Sequence, residues 1–178
     1  LRLEGIGQGS QKSLGTAVSR FAEGEAAMGG TGISLALDYE IPHPGSFSYF
    51  WSQPFALSGK NYFSFWRKLE GEAIISPPEF LVEFREDRNG DGKFDSKKDM
   101  AERIPASRFT AGANKQGWQK VTLPLSRFRR IQSWSQILEV GFIFENKQRF
   151  GKGSFLVDNL LFGSNYPEEF KGSEIQMQ

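Results

Sequence analysis

Short segments with alternating apolar and polar residues recur along the chain, and they limit its possible folds more than any other feature. In residues 33–37 every second residue is Ile or Leu, and in residues 80–85 Phe, Val and Phe alternate with Leu, Glu and Arg. Alternation with a period of two predicts half-buried β-strands. Further strands are predicted in residues 17–21, 47–51, 62–68, 104–109, 118–123, 140–145 and 154–162.

About eight or nine short strands separated by Gly, Pro and Asn turns, with no alternating strand and helix pattern, predict an all-β protein. We expect an antiparallel β-sandwich, of the jelly-roll type, with one short helix. The helix is expected over Ser126 to Gln136, where Phe128, Ile131 and Trp134 recur at three-residue steps. A length of 178 residues suits one domain, 1–178, in which residues 1–14 and 164–178 form peripheral extensions.

The composition argues against several function classes. The 22 basic and 21 acidic residues are interspersed, so no strong positive surface is expected for nucleic acid. No apolar run approaches the ~20 residues that span a bilayer, so membrane insertion is not expected. There is no Cys for thiol chemistry, and the only His, His43, lies between two prolines, where a general base is poorly positioned. We therefore expect no enzyme activity.

Oxygen-bearing side chains stand at alternate positions around a glycine in residues 87–95, which is the pattern of a calcium-binding loop. The expected ligands are the side chains of Asp87, Asn89, Asp91 and Asp95 and the carbonyl of Lys93. Position twelve, where a Glu is expected, is Lys98, and Asp99 follows one residue later. The sequence predicts bound Ca²⁺; the alternative is a hairpin tip encoded by Asn-Gly and Asp-Gly without a metal.

Several segments, in this order, resemble the galactose-binding-like β-sandwich family, and in particular its bacterial carbohydrate-binding modules. The resemblance covers about residues 15 to 163, and the segments are 33–39, 64–68, 118–128, 140–145 and 155–162, the last containing Val157-Asp158-Asn159-Leu160. The resemblance implies a second calcium ion bound by Asp158. Its partner acid would be Glu23, Glu25, Asp38 or Glu40, among which the sequence does not choose.

Glycan binding requires aromatic faces for the sugar rings and charged or amide groups for their hydroxyls. Tyr49 and Trp51 share one strand face and are displayed if Phe50 packs inward; the alternative is that Trp51 is in the core. Trp134 stands beside polar residues and is a candidate exposed aromatic. Four charged residues alternate with apolar ones and are expected to line one concave sheet, although they could simply be solvated: Glu83, Arg85, Lys120 and Glu145.

The sequence thus predicts a noncatalytic, calcium-stabilised carbohydrate-binding module of a secreted or cell-surface protein. Its expected partners are a polysaccharide or glycan and other domains of a larger protein, because a chain that begins with Leu suggests a processed protein or an excised domain. One alternative is a structural or protein-interaction domain of an extracellular assembly. The least favoured alternative is a polysaccharide-degrading domain that uses Glu83 and Glu145 as its acid and base.

Overall fold

The computed structural model describes residues 10–13, 16–23, 33–41, 45–70, 79–146 and 151–165. This part of the chain contains eleven strands and two short 3₁₀ helices, Ala106–Phe109 and Leu125–Arg127. No helix among these residues is long and apolar enough to cross a membrane. The strands are β1 (Ser10–Ser13), β2 (Thr16–Glu23), β3 (Ile33–Ile41), β4 (Gly45–Phe55), β5 (Tyr62–Glu70), β6 (Glu79–Glu86), β7 (Met100–Pro105), β8 (Thr110–Ala113), β9 (Gln119–Pro124), β10 (Ile137–Asn146) and β11 (Gly151–Gly163).

The strands form two antiparallel sheets that pack face to face. The five-stranded sheet has the order β1-β4-β10-β6-β7, and the six-stranded sheet has the order β2-β3-β11-β5-β9-β8. The chain passes between the sheets from β3 to β4, β4 to β5 and β5 to β6, so strands that are consecutive in sequence often lie in opposite layers. The predicted all-β antiparallel sandwich is confirmed.

Aromatic side chains fill the space between the sheets. From the five-stranded sheet, Phe80, Phe142 and Phe144 point inward, and they meet Phe65 and Phe155 of the six-stranded sheet at ring-centroid distances of 4.6 to 5.7 Å. Sheets pack about 10 Å apart, a gap that large rings from both layers can fill. The high Phe content is therefore explained by the core.

The predicted helix over Ser126 to Gln136 is wrong. Only the 3₁₀ turn Leu125–Arg127 forms, and the chain then runs irregularly to β10. Phe128 and Ile131 are buried as the helical spacing required, but the N–H groups of Gln132 and Ser133 donate to the carboxylate of Glu86, at 3.1 and 2.6 Å, instead of to helical carbonyls. A tertiary acceptor thus replaces the helical hydrogen bonds.

The expected peripheral extensions are described only in part. Ser10–Ser13, within residues 1–14, forms β1 at the edge of the five-stranded sheet, where it pairs with β4. This short segment therefore pairs with the edge of the sandwich, and the bounds of the two extensions stay a prediction. Residues 166–178 lie outside the described residues.

Candidate functional site

The outer face of the five-stranded sheet carries a row of polar side chains across three adjacent strands. In the strand register Arg85 of β6 lies opposite Glu139 of β10, which lies opposite Ser52 of β4. Glu83 shares the face of Arg85, because side chains two residues apart along a strand point the same way. The inward neighbours on the same strands, among them Phe84 and Val140, are buried in the core.

These polar groups form one connected network. Arg85 Nε donates to Glu83 Oε1 at 2.7 Å, and Arg85 Nη1 donates to Glu139 Oε2 at 2.6 Å. The Ser52 hydroxyl donates to Glu139 Oε1 at 2.8 Å. Arg85 Nη2 makes no hydrogen bond within the described residues, and the Arg85 side chain is 22% exposed. The guanidinium is thus held by two carboxylates and keeps donors available to an external acceptor.

Two aromatic rings contact the Arg85 guanidinium. Its Cζ atom lies 3.8 Å from the ring centroid of Phe50 and 4.6 Å from that of Phe94. Phe50 lies over Gly141, where a Cβ atom would stand only 2.2 Å from Phe50 Cδ1. A glycine at this position therefore lets the ring, and with it the guanidinium, lie close to the sheet.

The remainder of the face combines a buried apolar floor with a second ion pair. Leu81 and Ile143 are buried together with Phe50 in a cluster separate from the main core. Nearby on the same face, Arg103 Nη1 of β7 donates to Glu145 Oε1 at 2.7 Å. Each arginine of the face is thus paired with a carboxylate, and the carboxylates exceed the arginines by one, so the face offers no cationic surface to a polyanion.

The structure places Glu83, Arg85 and Glu145 of the predicted charged set on one face of the five-stranded sheet, but not Lys120. Lys120 lies on β9 in the six-stranded sheet, with its outer neighbour Trp66 opposite on β5. The expectation that all four residues line one sheet is wrong for Lys120. The chain crosses between the sheets after β7, and alternation along a strand does not show in which layer the strand lies.

None of the aromatic candidates is fully exposed. Tyr49 and Trp51 are only 2% and 3% exposed, and they point into the core while Phe50 points outward. Trp134 is half-buried against Phe84, at a ring-centroid distance of 5.2 Å, and packs on the core at the end of the sandwich. The expectation of displayed rings is wrong for Tyr49 and Trp51, which take the alternative placement in the core. Trp134 is only half-buried, so its part in sugar binding stays a prediction.

The 87–99 loop, which joins β6 to β7, is closed by carboxylates that accept backbone N–H groups. Asp87 accepts hydrogen bonds from Gly90 and Gly92 at 2.7 and 2.9 Å. Both glycines have positive φ, 74° and 75°, which favours Gly at these positions. Asp99, the last residue of the loop, joins it to the start and to the middle, since its Oδ1 accepts Arg88 N–H at 2.9 Å and its Oδ2 accepts Asp95 N–H at 2.7 Å.

The hydrogen bonds to Asp99 influence its protonation. The bond from the Asp95 N–H lowers the pKa of the Asp99 carboxyl most; burial acts in the opposite direction, and the N–H groups of Arg88 and Asn89 and the charge of Lys98 lower the pKa further. The net effect is a pKa below the ordinary value of 3.8. Asp99 is therefore negatively charged at neutral pH, in the form that accepts the N–H groups of the loop.

The predicted calcium ligands have suitable chemistry, but they are not gathered into a cluster. Among the described residues no group of three or more His, Cys, Asp or Glu side chains is placed to hold a metal ion. Asn89 Nδ2 instead donates to Asp91 Oδ2 at 2.8 Å, and Asp95 Oδ1 accepts Lys97 N–H at 3.0 Å. Asp158 likewise accepts the N–H of Asn159 at 2.6 Å. Calcium binding, by the loop or by Asp158, stays a prediction.

Four residues of the face escaped the sequence analysis: Ser52, Phe50, Phe94 and Glu139. Glu139 could have been found, because the alternation that indicated Glu145 extends back to it through Gly141 and Ile143. Phe50 was ambiguous, since both faces of β4 carry aromatic residues. Phe94 carries no signal in the sequence, because its contact with Arg85 depends on the path of the 87–99 loop.

The described part of the chain has an antiparallel β-sandwich fold similar to that of solved carbohydrate-binding modules, as the resemblance implied. No protein-family model and no curated protein matches the sequence.

Two solved structures show the likeness of the fold. One is a family 11 carbohydrate-binding module from Clostridium thermocellum in complex with a β-1,3-1,4-mixed-linked tetrasaccharide; it shares 19% identity over 94% of this chain and 95% of its own, with a TM-score of 0.62. The other is a family 30 carbohydrate-binding module of a cellulosomal cellulase from Clostridium thermocellum, with 16% identity over 85% of this chain and 88% of its own, and a TM-score of 0.62.

Proposed function

We propose that this chain is a noncatalytic module that binds a neutral glycan chain on the outer face of its five-stranded sheet. The observation that carries the proposal is the row formed by Glu83, Arg85, Glu139 and Ser52, which spans three adjacent strands. The proposed setting is a secreted or cell-surface protein with further domains, in keeping with the cellulase from which one structural neighbour derives.

The chemistry of the row suits sugar hydroxyl groups. A hydroxyl both donates and accepts, so it can donate to a carboxylate oxygen of Glu83 and accept from Arg85 Nη2. The two carboxylates already hold the guanidinium in place, which reduces the conformational entropy lost on binding. The paired groups of the face comprise three carboxylates (Glu83, Glu139 and Glu145) and two guanidinium groups (Arg85 and Arg103), an excess of one negative charge, which favours a neutral sugar over a polyanionic one.

No aromatic side chain among those described is more than partly exposed, and this indicates the form of the ligand. Of the described residues, the only large apolar side chains that are exposed are Leu69 and Leu161, at 37% and 45%. A crystalline polysaccharide surface would require a flat array of exposed rings, whereas a single soluble chain can be bound through its hydroxyls. We therefore propose a soluble oligosaccharide or polysaccharide strand, and the mixed-linked β-glucan bound by the family 11 neighbour is the first ligand to test.

The same contacts argue against hydrolysis. Glu83 and Glu145, the least favoured catalytic pair, each accept a hydrogen bond from an arginine. A glycosidase requires one of its two carboxyl groups to donate a proton to the leaving group. The face is therefore assigned to binding alone.

The test is isothermal titration calorimetry with soluble glycans, including a β-1,3-1,4-mixed-linked oligosaccharide, against matched variants. Arg85→Met keeps an unbranched stem that reaches about as far as the arginine Nε but removes the donors, and we expect affinity to fall at least about tenfold. Lys120→Met, on the opposite sheet, is the control and leaves affinity unchanged. Melting curves establish that both variants are folded.

Two results would contradict the proposal. One is undiminished affinity in Arg85→Met. The other is a wild-type protein that binds no glycan and self-associates in sedimentation, which would favour the protein-interaction alternative.

We also propose that the 87–99 loop binds Ca²⁺ through oxygen atoms of Asp87, Asn89, Asp91, Lys93 and Asp95, with Asp99 in place of the usual closing Glu. The ligand types and their alternate spacing support this, as do the exposed positions of Asn89 and Asp91. The ion would stabilise the fold by about 2.7 kcal/mol at a hundredfold excess over Kd.

We expect EDTA to lower the Tm of the wild type and of Lys97→Ala, an exposed loop control, but to leave that of Asp91→Ala unchanged. Superimposable melting curves of the wild type in calcium and in EDTA would rule the ion out.

A further inference from the structure

The 87–99 loop extends back over the proposed binding face. It begins two residues after Arg85, and its residue Phe94 returns to within 4.6 Å of the Arg85 guanidinium, measured from Cζ to the ring centroid. Phe94 is half-buried, although Asp91, three residues before it, and Lys97, three residues after it, are exposed. A single apolar residue in a polar loop therefore packs against the charged centre of the face.

The loop holds Phe94 in place from both sides. The N–H of Lys93, just before Phe94, donates to Asp91 Oδ1 at 2.9 Å, and the N–H of Asp95, just after it, donates to Asp99 Oδ2 at 2.7 Å. At the start of the loop, the N–H of Asp87 donates to the carbonyl of Gln136 at 2.8 Å. The position of the ring is therefore coupled to the closure of the loop by Asp99.

We propose, on the basis of the glycan-binding function above, that the 87–99 loop forms one edge of the binding face and that Phe94 is a positioning residue for Arg85. Two carboxylates fix Nε and Nη1 of Arg85, and the rings of Phe50 and Phe94 fix the guanidinium by contact with its Cζ. A guanidinium held in this way presents Nη2 to the ligand in one orientation. The attraction between a cation and the π face of a ring supplies the energy.

This assignment makes ligand affinity depend on a loop that contains none of the proposed hydrogen-bonding groups of the face. Asp99→Asn keeps the size of the side chain but replaces one accepting oxygen with an amide nitrogen, which cannot accept a hydrogen bond from an N–H group. The N–H group of either Arg88 or Asp95 then loses its acceptor, so the loop is held less firmly. We expect glycan affinity to fall as a result.

The decisive experiment compares three variants of the whole chain by calorimetry with the oligosaccharide that the wild type binds. Phe94→Leu keeps an apolar side chain but removes the π face, and we expect about fivefold weaker binding. Phe94→Tyr keeps the aromatic ring, and we expect it to bind with wild-type affinity. Lys97→Ala, elsewhere in the same loop, leaves affinity unchanged.

A second measurement separates positioning from a general loss of structure. The NMR signal of the Arg85 Nε–H group reports its surroundings without any ligand, and we expect it to shift in Phe94→Leu but not in Lys97→Ala, with all variants melting cooperatively. Wild-type affinity in Phe94→Leu, or an unmoved Arg85 signal, would overturn the inference while leaving the proposed function intact. A wild type that binds no glycan would overturn the proposed function itself, and this inference with it.

Discussion

Gly141→Ala tests the close approach of Phe50 to the sheet. Gly141 lies in the middle of β10, opposite Phe50 of β4 and Glu83 of β6. A Cβ atom at this position would stand 2.2, 2.5 and 2.6 Å from three atoms of the Phe50 ring. These distances are far below van der Waals contact, so the ring must move away from the sheet.

The expected size of the effect follows from two opposing terms. Replacing Gly by Ala within a strand favours folding by roughly 0.5–1 kcal/mol, because the unfolded chain loses conformational freedom. Overpacking a tightly filled site costs about 1–3 kcal/mol. Phe50 is only 4% exposed and contacts the Arg85 guanidinium, so its displacement also disturbs that contact. The net result is a destabilisation of about 1–2 kcal/mol.

Urea unfolding of Gly141→Ala, with Gly112→Ala as the matched control, measures this effect. Gly112 lies in the edge strand β8, and a Cβ atom there would meet no atom within 4 Å. We expect Gly112→Ala to raise the free energy of unfolding by up to about 1 kcal/mol and Gly141→Ala to lower it. The two substitutions therefore differ in sign, although they are chemically identical.

Equal or increased stability of Gly141→Ala would refute the reasoning, because the backbone term would then exceed the steric one. The glycan affinity of the variant provides a second check. If Phe50 supports Arg85, its displacement weakens binding, whereas Gly112→Ala leaves binding unchanged.

Two further predictions concern buried polar groups. Glu86 is 1% exposed and accepts backbone N–H groups of Gln132 and Ser133, so Glu86→Ala leaves these groups unpaired. We expect Glu86→Ala to lower the free energy of unfolding by about 2–5 kcal/mol in urea, and Glu86→Gln, which keeps one acceptor, to lower it less. Equal losses in the two variants would contradict this account. Burial raises the pKa of Tyr39 to about 12, and its hydroxyl has no hydrogen-bond partner in the described part of the chain. Because the unfolded chain ionises first, the neutral Tyr39 hydroxyl leaves the free energy of unfolding unaffected by pH below about 10, and up to about 3 kcal/mol of it is lost as the pH rises through 12. Tyr39→Phe escapes that loss and is about 1 kcal/mol more stable at neutral pH; parallel alkaline unfolding curves for the two proteins would show the assignment to be wrong.

The sequence predicted the fold well and the candidate site only in part. Alternation along β6 and β10 identified the outward positions of Glu83, Arg85 and Glu145, because a period of two reflects the pleat of any strand. It failed for Tyr49 and Trp51, since β4 carries aromatic residues on both faces and either face could have been the core. The helix prediction failed because Glu86, more than forty residues away, accepts the N–H groups that a helix would have used.

The sequence by itself determined the class of fold and the positions of most strands, since these follow from local alternation and turn residues. The strand expected over 104–109 is an exception, because β7 ends at Pro105 and Ala106–Phe109 is a 3₁₀ helix. It also placed an acidic loop directly after β6. Only the tertiary structure decided which strands became neighbours, and so joined Arg85 to Glu139 and Ser52, sent Lys120 to the opposite layer, and brought Phe94 back to Arg85. The physical reason is that hydrogen bonding between strands, and the path of the chain between two sheets, depend on the packing of the whole core and not on any short segment.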